Sequence, residues 1–364
     1  MRIPLQSIKM TMHKTVSYSD DILTVLLLSI VIGLSGCMAP APEPTLPPAD
    51  MVWPTGNETP RIRLVGSIAR PEDFHITQNG FQRFWGYFVG QEDNRLVAPY
   101  GITVDLGGRL YVVDTFRRRV QRFDATAGKF HTFPTGDHLM TSPIDIIVND
   151  TTGLIYVADS KEGIIKAFNG PDDTSPLEIG LGILQRPTGI AINQVTDELL
   201  VVDTKLSRIF RFDLHNHRLQ GKFGSKGIEK GQFNHPTNIT VAEDGTIVVT
   251  DALNFRIQIF SAKGEFLRTF GSAGDSPGHF SRPRGVATDS DGNIYVVDAL
   301  FDNIQMFNKQ GQLLMDFGTS GRGYGEFWLP AGICIDTNDK IYVADSYNKR
   351  VQIFQYLKQD NSVQ

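Results

Sequence analysis

The sequence predicts an all-β fold, a β-propeller of six four-stranded blades, from a repeat, its period and the way its ends meet. One pattern recurs six times from Pro99 onward: Pro, any residue, usually Gly, then an apolar strand, a polar turn, a second strand ending in Asp and a third ending in Phe. The aspartates that end the second strands are Asp114, Asp159, Asp203, Asp251, Asp298 and Asp345, spaced 45, 44, 48, 47 and 47 residues apart. A period of that length with three or four short strands per unit builds blades. Helical repeats would need a sustained 3.6-residue periodicity, which no stretch after residue 60 shows.

Each blade is justified in turn by the same landmarks. The units begin at Pro99-Tyr100-Gly101, Pro143-Ile144-Asp145, Pro187-Thr188-Gly189, Pro236-Thr237-Asn238, Pro283-Arg284-Gly285 and Pro330-Ala331-Gly332. Their third strands end at Phe123, Phe168, Phe212, Phe260, Phe307 and Phe354. Three connectors share one template, Phe223-Gly224 to Pro236, Phe270-Gly271 to Pro283 and Phe317-Gly318 to Pro330, each with a Phe three residues before the Pro. Only ten residues follow Phe354, so the sixth unit lacks an outer strand. The strand-like run Arg61-Ile62-Arg63-Leu64-Val65-Gly66-Ser67-Ile68 is left over upstream, and pairing it beside residues 351–357 removes the open edge. The N-terminal segment is therefore expected to supply the outer strand of the last blade, giving a propeller over residues 61–357 and a tail over 358–364.

The runs Asp345-Ser346-Tyr347-Asn348-Lys349-Arg350-Val351-Gln352-Ile353-Phe354 and Asp251-Ala252-Leu253-Asn254-Phe255-Arg256-Ile257-Gln258-Ile259-Phe260 closely resemble the core motif of NHL repeats. The resemblance covers roughly four-fifths of the chain and implies a six-bladed propeller. It also implies a choice of roles. Many such propellers bind partners, whereas NHL-type amidating lyases use histidines around a zinc and the similar gluconolactonases hold calcium in the channel with Glu, Asn and Asp.

The first sixty residues are of another kind. Ile22 to Leu34 is an apolar run of about 13 residues, short for a membrane span but suited to the core of a signal peptide, with Arg2, Lys9 and Lys14 upstream. It ends in Leu34-Ser35-Gly36-Cys37, which resembles the bacterial lipobox: small residues before the cut and a thiol to alkylate. Residues 1–36 are thus expected to be a lipoprotein signal peptide and Cys37 the lipidation site, with palmitate-type acyl chains holding the protein to a membrane. Met38 follows the cysteine, and Asp does not, which implies the outer membrane, facing periplasm or surface, in a cell with two membranes. Residues 37–60 carry seven prolines after Cys37 and read as an extended tether in which only Trp53-Pro54 has the character of a docking element.

Composition narrows the partners. Net charge is −5, or −6 without residues 1–36, and no basic tract exists, so nucleic acid is not an expected partner. The only cysteines are Cys37 and Cys334, so no disulfide framework holds the fold, and Cys334, within Ala331-Gly332-Ile333-Cys334-Ile335, reads as a buried free thiol. No cofactor is expected, and the sequence sets no oligomeric state.

The leading Pro-x-Gly and the loop after each strand-ending Asp belong to one face, here called the top. In four blades an Arg stands five residues beyond the Asp, as Arg119, Arg208, Arg256 and Arg350, so the carboxylates are expected to cap backbone amides and pair with Arg. Ile164 and Asn303 break this in blades two and five, leaving Asp159 and Asp298 the aspartates least explained by structure. The loop tips carry Phe116, Leu253, Leu300, Phe301 and Tyr347, with Lys161 and Lys205 as a charged edge. Solvated tips have no need of such apolar residues, so these seven are the candidate binding residues for a protein, peptide or glycan. Asp145 and Asn238 replace Gly at two strand starts and are the weak candidates for a channel metal in the alternative reading, a metal-dependent lyase or lactonase. His75, His131, His138, His215, His217, His235 and His279 show no ligand spacing, and His235 and His279 read as surface residues of connectors. No catalytic constellation such as a nucleophile elbow or phosphate loop is present.

Cys37→Ala is expected to release the protein from membranes or leave it unprocessed, as read by membrane fractionation and intact mass. Normal cleavage with unchanged membrane retention would contradict the lipobox reading.

Overall fold

The second strand of each repeat is a near-continuous apolar run because both of its faces are covered. Leu110–Asp114, Ile155–Asp159, Glu198–Asp203, Ile247–Asp251 and Ile294–Asp298 are buried along their whole length, and Lys340–Asp345 is buried except at Lys340. A strand flanked by neighbours in its own sheet and packed on both faces is the interior of a blade. The computed structural model describes residues 51–56, 58–74, 94–135 and 140–358, and in these the strands form six antiparallel blades.

Blade one comprises Pro99–Val104, Leu110–Asp114, Arg119–Asp124 and Lys129–Phe133, paired in that order. Blades two to five repeat the order, beginning at Pro143–Val148, Pro187–Asn193, Pro236–Val241 and Pro283–Thr288. Blade six runs Ile333–Ile335, Lys340–Asp345 and Arg350–Tyr356, and its fourth strand is Ile62–Ile68. The register sets Ile62 opposite Tyr356, Leu64 opposite Phe354 and Ile68 opposite Val351. The closing strand is therefore the N-terminal one, as the leftover run implied.

Phenylalanines fill the seams. Connector rings Phe233, Phe280 and Phe327 are buried and lie 5.6, 5.8 and 5.9 Å from Phe260, Phe307 and Phe354. Each connector ring lies against a glycine at positive φ: Gly224, Gly271 and Gly318, at 85°, 86° and 89°. A Cβ there would overlap the ring, so the recurring Phe-Gly pair is required both by the turn and by the packing.

One boundary shifts. Val52–Trp53 adds a fifth strand outside Ile62–Ile68, within the stretch expected to be tether, so the ordered body starts by Met51 rather than at Arg61. The reason is the Trp53 indole, whose centroid lies 6.0 Å from Phe317 and 5.8 Å from Phe354, covering the seam between blades five and six. Cys37 and the signal segment lie outside the described residues.

Ile62, Leu64 and Ile68 are buried in the closing strand. Each such side chain contributes about 1.5–3 kcal/mol on burial, and an open blade edge also loses its ladder. A chain beginning at Ala69 is expected to lose several kcal/mol and melt well below the full chain in thermal or urea unfolding. Equal melting would show that Ile62–Ile68 does not close the ring.

The channel mouth and the top rim as the candidate functional site

The top face is built by the strand-ending aspartates. All six are fully buried, and each accepts main-chain N–H donors from the residues just before its own blade's leading Pro. Asp203 accepts from Gln185 and Arg186 at 2.6 and 3.0 Å, and from Leu206 at 2.9 Å. In blades four and six the motif adds three side-chain donors. Asn254 Nδ2, Arg256 Nε and Gln258 Nε2 reach Asp251 at 2.8, 2.8 and 3.1 Å, and Asn348, Arg350 and Gln352 do the same for Asp345. The same Arg and Gln donate onward to connector carbonyls, Arg256 to Glu229 and Gln232, Arg350 to Gly323 and Glu326. The Asp-Asn-Arg-Gln spacing is thus a clamp that holds each connector against its blade. Burial nevertheless pushes the Asp251 and Asp345 carboxyls upward, against the downward pull of these donors.

Asp159 and Asp298, which lack the Arg, are fully explained as well. Asp159 accepts from Thr141, Ser142 and Glu162, and Asp298 from Ser281, Arg282 and Leu300. Backbone amides take the place of the guanidinium. Neither carboxylate is left over for chemistry.

The channel narrows at the third residue of each repeat. A Cβ on Gly101 would stand 2.5 Å from Asp145 Cα, and one on Gly189 2.7 Å from Asn238 Cα. The inner strands approach so closely that glycine is required there. Asp145 and Asn238 instead point onto the next blade: Asp145 Oδ2 accepts the Ile190 N–H at 2.9 Å and Asn238 Oδ1 the Val286 N–H at 3.1 Å. Both residues border two cavities, one above this waist of about 360 Å³ and one below of about 280 Å³. The lower funnel alternates Ile147, Ile192, Val241 and Ile335 with polar residues such as Thr103, Gln194, Thr240 and Thr288. Cys334 lines it too as a half-buried free cysteine, and burial of the thiol, with nearby Asp336 and Asp145, pushes it far up, so it stays protonated.

The weak metal candidates are engaged with the neighbouring blades. Asp145 and Asn238 hold backbone amides, and among the described residues no group of three or more His, Cys, Asp or Glu is arranged to take an ion. His75 and His138 lie outside the described residues. His235 is exposed and lines the upper mouth with Arg186, Arg282 and Arg284, a basic set that no single motif displays because it is drawn from three different repeats.

The rim residues stand out from the loops. Phe116, Leu253, Leu300 and Tyr347 are 75, 49, 55 and 58% exposed; Lys161 and Lys205 are exposed, and Phe301 is half-buried. Among the described residues no ring contact joins Phe116 to Tyr347. Tyr347 instead meets Trp328 at 5.6 Å, and the Arg322 guanidinium covers Trp328 at 4.7 Å. Trp328 was legible as an aromatic where the matching connectors have Asn234 and Ser281.

Six antiparallel sheets with their first strands around one channel make this protein a six-bladed β-propeller. One of its repeats, residues 327–354, matches the NHL repeat model, and residues 229–300 match a model described as a 6-bladed beta-propeller. The human E3 ubiquitin-protein ligase NHLRC1 is 33% identical over 86 residues, 24% of this chain and 22% of that protein. The B-box type zinc finger protein ncl-1 of Caenorhabditis elegans is 47% identical over 45 residues, 12% of this chain and 5% of that one. The chain thus spans a small part of the curated relatives it matches. An auxiliary nutrient binding protein of Bacteroides thetaiotaomicron superposes with a TM-score of 0.58 at 14% identity, covering 73% of this chain and 71% of that one. Virginiamycin B lyase of Staphylococcus aureus gives 0.55 at 15% identity, covering 81% and 100%. At such identities the likeness is one of fold.

Asp145 makes the waist sensitive to pH. Burial is the dominant influence and pushes its carboxyl up to about 7, against the pull of the Ile190 and Ile146 amides. An unfolded Asp titrates near about 3.9, so between these values the folded state binds more protons and stability falls as pH rises. Asp145→Asn keeps an acceptor for Ile190, as Asn238 does for Val286. The variant is expected to be more stable than the wild type at pH 8, by roughly 1–3 kcal/mol, with the gap closing at pH 5. Urea unfolding at both pH values checks this; a gap that does not change with pH would contradict it.

Proposed function

We propose that the protein is a membrane-tethered binding module whose propeller offers its top face to a protein, peptide or glycan. The observation that carries this is the rim itself: Phe116, Leu253, Leu300 and Tyr347 are large apolar side chains left in solvent on loops of one face. Aromatic anchors of this kind dominate interface energies. The stabilising networks behind them are complete without these side chains, because the carboxylate clamps use main-chain and strand donors. Lipidation at Cys37, with the prolines that follow it, would hold that face at a membrane, on the periplasmic or surface side where an outer membrane exists. The nutrient-binding neighbour supports a binding role for the fold, and the lyase neighbour shows that the fold also carries catalysis. The lyase or lactonase alternative would set a metal near Asp145 and Asn238, each of which accepts a backbone amide of the next blade.

Phe116→Ser with Tyr347→Ser is expected to leave the melting curve close to that of the wild type while weakening partner capture from membrane extracts at least tenfold, or ~1.4 kcal/mol. Capture at wild-type strength by a folded double variant would place the binding surface elsewhere.

A further inference from the structure

The residues flanking each leading proline divide the channel mouth into two halves. The residue before it is Arg186, His235 and Arg282 in blades three, four and five, but Ala98, Ser142 and Leu329 in blades one, two and six. The residue after it follows the same division, Thr188, Thr237 and Arg284 against Tyr100, Ile144 and Ala331. All of these except Ala98 and Leu329 line the upper cavity of about 360 Å³.

Three guanidiniums therefore border one small cavity in a chain whose net charge is −5. Arg284 is held in place, its Nη1 donating to the Pro330 carbonyl at 3.4 Å and its guanidinium 5.6 Å from the Tyr100 ring centre. Arg186 and Arg282 differ. Their backbone amides are fixed by Asp203 and Asp298, yet their guanidiniums have no hydrogen-bond or ion-pair partner among the described residues. The one carboxylate that borders the cavity, Asp145, lies at the waist and accepts the Ile190 N–H. Leu253 and Phe255 line the same cavity beside these basic residues, whose side chains reach solvent. The other half of the lining holds Tyr100, Ile144 and Ala331 with Ser142 and Ser160, and Arg284 reaches over the Tyr100 ring.

We propose that the channel mouth binds a small amphipathic anion, a carboxylate carried on an apolar or aromatic body. The carboxylate sits between Arg186 and Arg282, whose planar forks match it, and the body lies against Tyr100 and Ile144. The cavity is of the size that takes one small molecule. This goes beyond the rim reading, because it assigns a separate ligand to the channel.

The test is titration calorimetry on the purified full chain at pH 7 with 3-phenylpropionate, its neutral amide and acetate. One equivalent of 3-phenylpropionate is expected to bind, with the amide and acetate at least tenfold weaker. Arg186→Gln with Arg282→Gln should weaken 3-phenylpropionate at least tenfold, whereas Arg268→Gln, which removes a guanidinium from a different cavity, should not. Arg282→Glu alone should act in the same direction, which keeps the test valid if the double variant folds poorly. The assignment is overturned if 3-phenylpropionate does not bind at millimolar concentration, if the amide or acetate binds as tightly, or if the Arg variants retain wild-type affinity.

Discussion

The structure depends on one interaction repeated in every blade: a buried carboxylate at the end of the second strand accepting N–H groups from the chain that leads into that blade. A carboxylate taken out of water is tolerated only when its lone pairs are filled. Here two amides from the incoming chain or one, with a further amide or side-chain donor, fill them. The incoming chain is thereby held at a set height above the channel. Its proline then leads into the inner strand, and in blades two to five the side chain just before that proline is carried to the mouth.

That geometry separates what must stay from what can vary. The Asp, the glycine at the waist and the connector Phe-Gly pair answer to packing. The residues on either side of the proline answer only to the cavity they face. Arg186 and Arg282 illustrate the division within single residues, since their N–H groups belong to the clamp and their guanidiniums to the mouth. At the waist the same economy appears, where Asp145 and Asn238 stand in for glycine by bonding to the next blade's backbone. The neutral amide does the work without the charge, which is why burial raises Asp145 and leaves blade four free of that sensitivity to pH.

The fold was legible because its determinants are local and repeated: the leading Pro, the Asp about 15 residues on, and the closing Phe each recur in every blade. The closing strand could be found by elimination, since Ile62–Ile68 was the run without a blade. Trp53 was harder. Its value lies in covering Phe317 and Phe354, residues more than 260 positions away, and the prolines around it suggested a tether. The Arg partners of the aspartates were legible for Asp251 and Asp345, but a local spacing rule could not show that Asp159 and Asp298 fill their lone pairs with backbone amides. The mouth was illegible for the opposite reason. Its arginines come from blades three and five with His235 of blade four between them, and only ring closure gathers them.

Amide hydrogen exchange tests the role of the carboxylates most directly. Gln185 and Arg186, and separately Ser281 and Arg282, donate to Asp203 and Asp298. In Asp203→Ala, exchange at residues 185 and 186 is predicted to accelerate by an order of magnitude or more, ~1.4 kcal/mol of lost protection, while residues 281 and 282 keep wild-type protection. Unchanged exchange at residues 185 and 186 in the folded variant would mean that the aspartate does not hold the incoming chain, and the account of the top face built on it would fail.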